Sequence, residues 1–396
     1  MHRPGPGSSP ARRWPLFAGG FIGPFGGAMV TPMLPELAHG LGSTLATVAW
    51  SLTLYLVPFA TLMLFSGTLG DRWGRARTIR TAYAAYAVAS LTCAVATSSG
   101  LFLAGRALQG AANAFTSPLL VAALSDAVRP DRLGRALGAF ASWQAAGQAF
   151  APVIGGGFAA VNYRWAFLFS TLAAVGLALL PPPDPGDATG RPAASWAALA
   201  NRRLAISCAV AFCLYLTTTG VLLLVALRGG DAFTLGPDAR GLVVATFGIA
   251  GLLAGAALGR LADRFGVHAF GLCCLPALGA GTVAAGVVPD VPLLVLAVAG
   301  IGVASTAGRV VVITLAIRSS PANRGGATSM TLAWQFLGAA LAPVALLPVY
   351  RSHPVPAFAL AASVTLPAAA LLLIRTGPAL TPEPPSTPVA DRAGPG

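Results

Sequence analysis

Gly67-Thr68-Leu69-Gly70-Asp71-Arg72-Trp73-Gly74 and Gly259-Arg260-Leu261-Ala262-Asp263-Arg264-Phe265-Gly266 are two copies of one pattern, G-x-L-x-D-R-x-G, set 192 residues apart. A second, unrelated pattern recurs at almost the same offset. Trp143-Gln144-x-x-Gly147-x-x-x-Ala151-Pro152 returns as Trp334-Gln335-x-x-Gly338-x-x-x-Ala342-Pro343, 191 residues later. Self-similarity at one fixed offset in two places describes a duplicated chain.

The runs that carry these patterns are apolar and long enough to cross a bilayer, which takes about 20 residues of helix. Such runs fall at 15–37, 46–69, 79–98, 101–125, 135–158 and 165–181, and again at 204–227, 241–262, 267–287, 291–316, 325–349 and 355–375. The expected fold is all-α and membrane-embedded, with twelve transmembrane helices in two pseudo-symmetric six-helix bundles, 15–181 and 204–375. Residues 1–14 read as a cytoplasmic arm, and 182–203, opened by a run of prolines, as a cytoplasmic linker that cannot be one helix. The Pro-rich tail 376–396 reads as disordered and cytoplasmic.

Composition agrees. Of the 396 residues 56% are hydrophobic and 9% charged, against about 25% charged in soluble domains. The formal charge is +13, and all 25 basic residues are Arg. They are scattered between apolar runs, not gathered on a face with aromatics, so nucleic acid is not an expected partner. With no Lys, a Walker A loop is impossible. Cys93, Cys208, Cys213, Cys273 and Cys274 lie inside apolar runs and form neither a disulfide framework nor a metal site. No Ser sits in a G-x-S-x-G elbow and no His–carboxylate cluster is present, so neither a cofactor, a metal nor an enzyme is expected. Nineteen arginines fall on one side of the spans and four on the other, with Arg106 and Arg309 inside helices. That bias places both termini in the cytoplasm and the chain, multi-pass, in the cytoplasmic membrane.

Several side chains stand out against this background. Asp71, Arg72 and Arg75 lie where the second span ends, Asp126 where the fourth ends, and Asp263 and Arg264 in the repeat copy. We expect them to form a latch holding the cytoplasmic ends of the halves together, biasing a two-state equilibrium; Gly67, Gly70 and Gly74 would serve close packing and the turn. Arg106 is costly at membrane depth and therefore a functional candidate. Gln109, Asn113 and Ser117 follow it three, seven and eleven residues on, one helical stripe expected to face the seam between the halves. Arg309 has no counterpart in the first half. Two embedded cations without a buried acid would leave a cavity net positive, suited to an anionic or carbonyl-rich cargo. Gln144, Gln148 and Gln335, with Trp143 and Trp334 beside them, would line a cavity for uncharged or amphipathic molecules. Pro152 and Pro343 are expected to kink their helices.

At these residues the sequence resembles the major facilitator superfamily, over 15–375. The stretch Gly67 to Arg77 is similar to its loop signature between the second and third helices, and Leu103-x-x-Arg106-x-x-Gln109-Gly110 to a signature of the fourth. Gly147-x-x-x-Ala151-Pro152-x-x-Gly155-Gly156 is similar to the fifth-helix signature of its exporters, with Ala where Gly usually precedes Pro. Trp50, Thr53 and Tyr55, with Tyr163-Arg164-Trp165-x-Phe167, resemble the drug:proton antiporter branch. The resemblance implies a monomeric secondary transporter working by alternating access on small organic molecules, an exporter with protons as coupling ion. An importer, or a non-transporting sensor on the same fold, is the alternative. That branch often carries an acid within the first helix; here none occurs before Glu36, at its outer end.

Overall fold

The computed structural model describes residues 14–128, 132–180, 199–320 and 323–373, without the side chains of Thr68, Asp71 and Arg324. The expected arm, linker and tail therefore lie outside the described residues, apart from Trp14 and residues 199–203. The described chain is twelve helical segments. In the first half they are α1 (Trp14–Gly40), α2 (Leu45–Trp73), α3 (Arg75–Val95), α4 (Ser99–Ala127), α5 (Leu133–Val161) and α6 (Arg164–Leu179). In the second they are α7 (Arg202–Asp231), α8 (Pro237–Phe265), α9 (Val267–Val287), α10 (Val291–Ser319), α11 (Arg324–Ser352) and α12 (Pro354–Leu373). Nine are long and apolar enough to cross a membrane by those measures alone. The other three are α3, with Arg75, Arg77 and Arg80 in its first two turns, the Gly-, Ala- and Gln-rich α5, and α6, which has 16 residues.

Three segments are broken, and proline explains each break. In α1 a turn follows Ala28; Pro32 then lies in a short 3-10 stretch and Pro35 at the start of Leu34–Gly40. α4 breaks after Asn113 and restarts at Ser117-Pro118, where Pro cannot donate back to Ala114. At the break the Asn113 carbonyl accepts from both the backbone N–H and the hydroxyl of Thr116, at 3.0 and 2.8 Å. α12 breaks at Val364, ahead of Pro367. Pro152 and Pro343 sit inside helices that continue through them.

Packing repeats between the halves. α1 packs on α5 as α7 does on α11; α2 on α4 as α8 on α10; and α3 on α6 and α4 as α9 on α12 and α10. The halves meet through α5 with α8 and α2 with α11. The closest crossings are built on glycine. A Cβ at Gly110 would strike the Tyr55 carbonyl and one at Gly302 the Phe247 carbonyl; both pairs are related by the 192-residue offset. Gly147 against Phe21 and Gly338 against Phe212 repeat the relation at 191. The turns between α2 and α3 and between α8 and α9 are also copies. Gly74 has φ 87° and Gly266 φ 80°, a region glycine enters without strain. This accounts for the last Gly of the repeated loop pattern.

These crossings are testable. Gly110→Ala and Gly302→Ala should each lower the melting midpoint in detergent, through an overpacking cost of about 1–3 kcal/mol. Gly300→Ala, with nothing within 4 Å of its Cβ position, should leave the midpoint unchanged. Equal midpoints for all three variants would contradict the crossing.

Candidate functional site

The seam between the halves is closed at one end and open at the other. We call the end carrying the Gly74 and Gly266 turns the basic end and its opposite the far end. On α8, Gly241 and Gly248 press on the Pro152 carbonyl and on Ala149 of α5, and Gly156 of α5 presses on the Pro237 carbonyl. Gly255 and Gly259 continue the same face of α8 toward the basic end, and Gly138 the same face of α5. Among the described residues none of these three has an atom within 4 Å of its Cβ position. On the other seam the Thr53 hydroxyl of α2 donates to the Ala340 carbonyl at 2.6 Å, and Phe59 meets Phe336 edge to face at 4.7 Å. Gly67, one level nearer the basic end, has nothing within 4 Å. A cleft therefore opens between the bundles toward the basic end.

Gln144 and Gln148 lie on the α5 flank between the direction of Gly147, which meets α1, and that of Ala149, which meets α8. Phe150 and Val161, on the opposite flank, are exposed, and Val161 lies at the closed end, so that flank is the outside of the bundle. The glutamines face the cleft. Their amides find no hydrogen-bond partner among the described residues. Pro152 cannot donate to the Gln148 carbonyl, which adds a free acceptor beside the amide. Gln335 holds the matching place on α11 and is buried. Trp334 does not join it. It packs against Phe212 at 6.1 Å on the outer flank, as Trp143 does against Phe21 at 6.4 Å, and both are exposed. Arg309 projects from the side of α10 that packs on α8, two turns nearer the basic end than Gly302, and is exposed.

Arg106 lies elsewhere. Its side chain is fully buried inside the first half, 4.3 Å above the Tyr55 ring. Nη1 donates to the Gly26 carbonyl at 3.0 Å and to Gln109 Oε1. Gln109 donates to Ser90 at 2.8 Å, and Asn113 to the Gly23 carbonyl at 3.1 Å and to the Tyr55 hydroxyl at 2.8 Å. The expected stripe thus faces α1, α2 and α3, not the seam, and none of these bonds reaches the second half. Helical spacing defined the stripe; which neighbours it meets depends on how the helix is rotated in the bundle. Arg106 Nε and Nη2 are buried without partners among the described residues.

The residues of the expected latch are described only in part. Arg75 Nη1 donates to Asp126 Oδ2, with side-chain exposures of 7% and 17%. The pair ties the start of α3 to the end of α4 within one half, so it does not bridge the halves. The Asp71 side chain lies outside the described residues. Arg72, Asp263 and Arg264 are exposed, and Arg264 lies 5.7 Å from the Phe265 ring. Among the described residues an ion pair between the halves stands at the far end. Arg240 of α8 donates to Glu36 of α1, a pairing across 204 residues for which neither local pattern gives a signal. Of the other arginines expected on that side, Arg164 donates to the Ala94 and Ala96 carbonyls at 2.7 and 3.0 Å, and Arg228 to Val288 at 2.9 Å, satisfying the open ends of α3 and α9.

Two similar bundles around a cleft open at one end define a multi-pass membrane protein of the transporter type. The chain belongs to the Major Facilitator Superfamily, whose model matches residues 16–237 and 210–394. It is 36% identical over 137 residues to the MFS-type transporter EfpA of Mycobacterium tuberculosis, a match covering 34% of this chain and 26% of that protein. It is 33% identical over 147 residues to the multidrug resistance protein MdtL of Escherichia coli O81, covering 37% of each. The matches thus span about a quarter to just over a third of these relatives. A crystal structure of a mutant of the nucleoside transporter NupG superposes with a TM-score of 0.76 at 14% identity, covering 91% of this chain and 99% of that one, a likeness of fold.

The Arg75–Asp126 pair predicts non-additivity. Arg75→Gln and Asp126→Asn should each lower the melting midpoint, and the double variant should lose less than their sum, by a coupling of about 0.5–3 kcal/mol. Strict additivity would mean the two groups do not act as a pair.

Proposed function

We propose that the chain is a secondary transporter that exports small organic molecules across the cytoplasmic membrane by alternating access, with both termini and the basic end in the cytoplasm. The observation that carries this is the seam: one flank of glycines, continuous along α8, is packed at the far end and unoccupied at the basic end. Rocking one bundle against the other would close the lower glycines and part the upper ones. The arginine bias makes the basic end the cytoplasmic one, so the cleft described is open to the cytoplasm, where an exporter takes up its cargo. The exporter-like stretch Gly147 to Gly156 and the names of MdtL and EfpA favour export.

The cleft groups suggest a cargo. Gln144, Gln148 and Gln335 offer amides and the freed Gln148 carbonyl adds an acceptor, while Phe59, Phe336 and Tyr215 supply aromatic surface. Arg309 contributes an exposed cation. Such a wall suits an amphipathic molecule bearing carbonyl, carboxylate or other acceptor groups. Arg106, sealed inside the first half, acts on the shape of α1 and α4 and does not touch the cargo. Protons are the proposed coupling ion, and the working unit a monomer.

The test is accumulation of cationic, neutral and anionic compounds in efflux-deficient cells carrying intact protein, Gln148→Leu, Arg309→Gln or empty vector, with and without a protonophore. At least one acceptor-bearing compound should accumulate less with the intact protein. Both the protonophore and Gln148→Leu should abolish that difference. Arg309→Gln should weaken export of anions more than of neutral compounds. Higher accumulation with the intact protein would indicate import, and equal accumulation across the panel at matched expression would sink the transport reading.

A further inference from the structure

Three helices meet at the far end of the α5–α8 seam. The last turns of α1 approach the start of α8, and the end of α7 lies behind it. Arg240 is 4% exposed and its shaft is packed against Gly229 and Gly230 of α7. Glu36, on the broken last piece of α1, is 26% exposed. Each keeps one buried atom without a partner, Arg240 Nε and Glu36 Oε2. The pair stands beside an apolar seal: Leu37, Leu41 and Val48 of the first half and Leu223, Leu227 and Val244 of the second belong to one continuous core. The internal repeat maps Glu36 onto Leu227 and Arg240 onto Val48. The positions that the repeat makes equivalent to this ion pair are therefore apolar, and both are buried.

We propose that Glu36 and Arg240 form the latch that holds the far end shut, and that Glu36 acts chiefly by neutralising Arg240. The proposal rests on the alternating-access reading. The two members are unequal because they differ in burial. Removing Glu36 strands a guanidinium in an apolar wall, a state that opening to water relieves. Removing Arg240 strands a carboxylate whose Oε2 is buried but whose side chain is 26% exposed against 4% for Arg240, at a smaller penalty. Neutralising both leaves no stranded charge. A group that served packing alone would show no such order.

The test measures the far end directly and needs no cargo. The five native cysteines are replaced, Thr97→Cys in the α3–α4 turn and His353→Cys before α12 are spin-labelled, and the distance distribution is read in nanodiscs. Glu36→Gln should raise the population with the far ends apart by about five- to tenfold over the starting protein. Arg240→Gln should raise it less, and the double variant Glu36→Gln/Arg240→Gln should fall back below Glu36→Gln. If Glu36→Gln leaves the distribution unchanged in correctly inserted protein, or if the double variant opens further than Glu36→Gln, the latch is overturned. Accumulation assays on the same variants separate the two ideas: efflux retained with an unchanged distribution removes the latch and leaves the transporter reading standing.

Discussion

In hydrocarbon a helix gains little by burying a leucine against its neighbour, since lipid offers the same surroundings; association depends on close packing and on polar bonds between helices. Here the packing is backbone against backbone, made possible by glycine at the crossing points. Gly110 with Tyr55, Gly302 with Phe247, Gly147 with Phe21 and Gly338 with Phe212 set the axes of eight helices within their halves. One site shows how firmly the spacing is kept. In the first half Gly155 of α5 makes room for the backbone of Met29 on α1. At the equivalent place in the second half α11 carries Leu346, and the glycine has moved to α7 as Gly220, against that leucine.

On the proposed function, interlocked halves would make motion at the seam inexpensive by comparison. Within a bundle, crossings interlock along whole helices. Among the described residues the ties between bundles include one hydroxyl to carbonyl, one aromatic edge, three glycine contacts at the far end and one ion pair, all of a kind that can be remade. Packed interfaces of this sort tend to have discrete arrangements, not a continuum. The position of these ties, bunched toward one end, is what turns two stacked bundles into a cleft.

The sequence made the scaffold legible and hid much of the site. Twelve spans, the duplication and the role of Gly74 and Gly266 could be read because hydropathy, repetition and glycine each leave a local mark. The breaks in α1, α4 and α12 fall beside Pro35, Pro118 and Pro367, none of which the sequence pattern singles out, while α5 and α11 continue as helix through Pro152 and Pro343. The polar stripe from Arg106 to Ser117 was correctly seen as one face; its partners were misjudged because the rotation of α4 about its axis is set by Gly110, not by polarity. Trp334 was placed with Gln335 because they are adjacent, yet adjacent residues on a helix point about 100° apart. Glu36 and Arg240 carry no mutual signal at all.

Apart from the Asp-Arg of the repeated loop pattern, the charges described above fall where the repeat is broken. Arg106 corresponds to Val298, Arg75 to Val267, Asp126 to Arg318, Glu36 to Leu227 and Arg240 to Val48. The glycine crossings, by contrast, obey it. Duplication supplies two bundles of matching shape, and matching shape is what lets one rock against the other without losing its packing. The two bundles share one orientation, so their far ends and their basic ends are different surfaces, and a charge at one end weighs on the state that buries that end. It costs desolvation in whichever state buries it, and pairing offsets that cost only where a partner from the other half is within reach. With Arg240 and Glu36 in contact at the far end and no equivalent pair possible between Val48 and Leu227, the asymmetry of the sequence becomes an energetic preference for the state with that end closed.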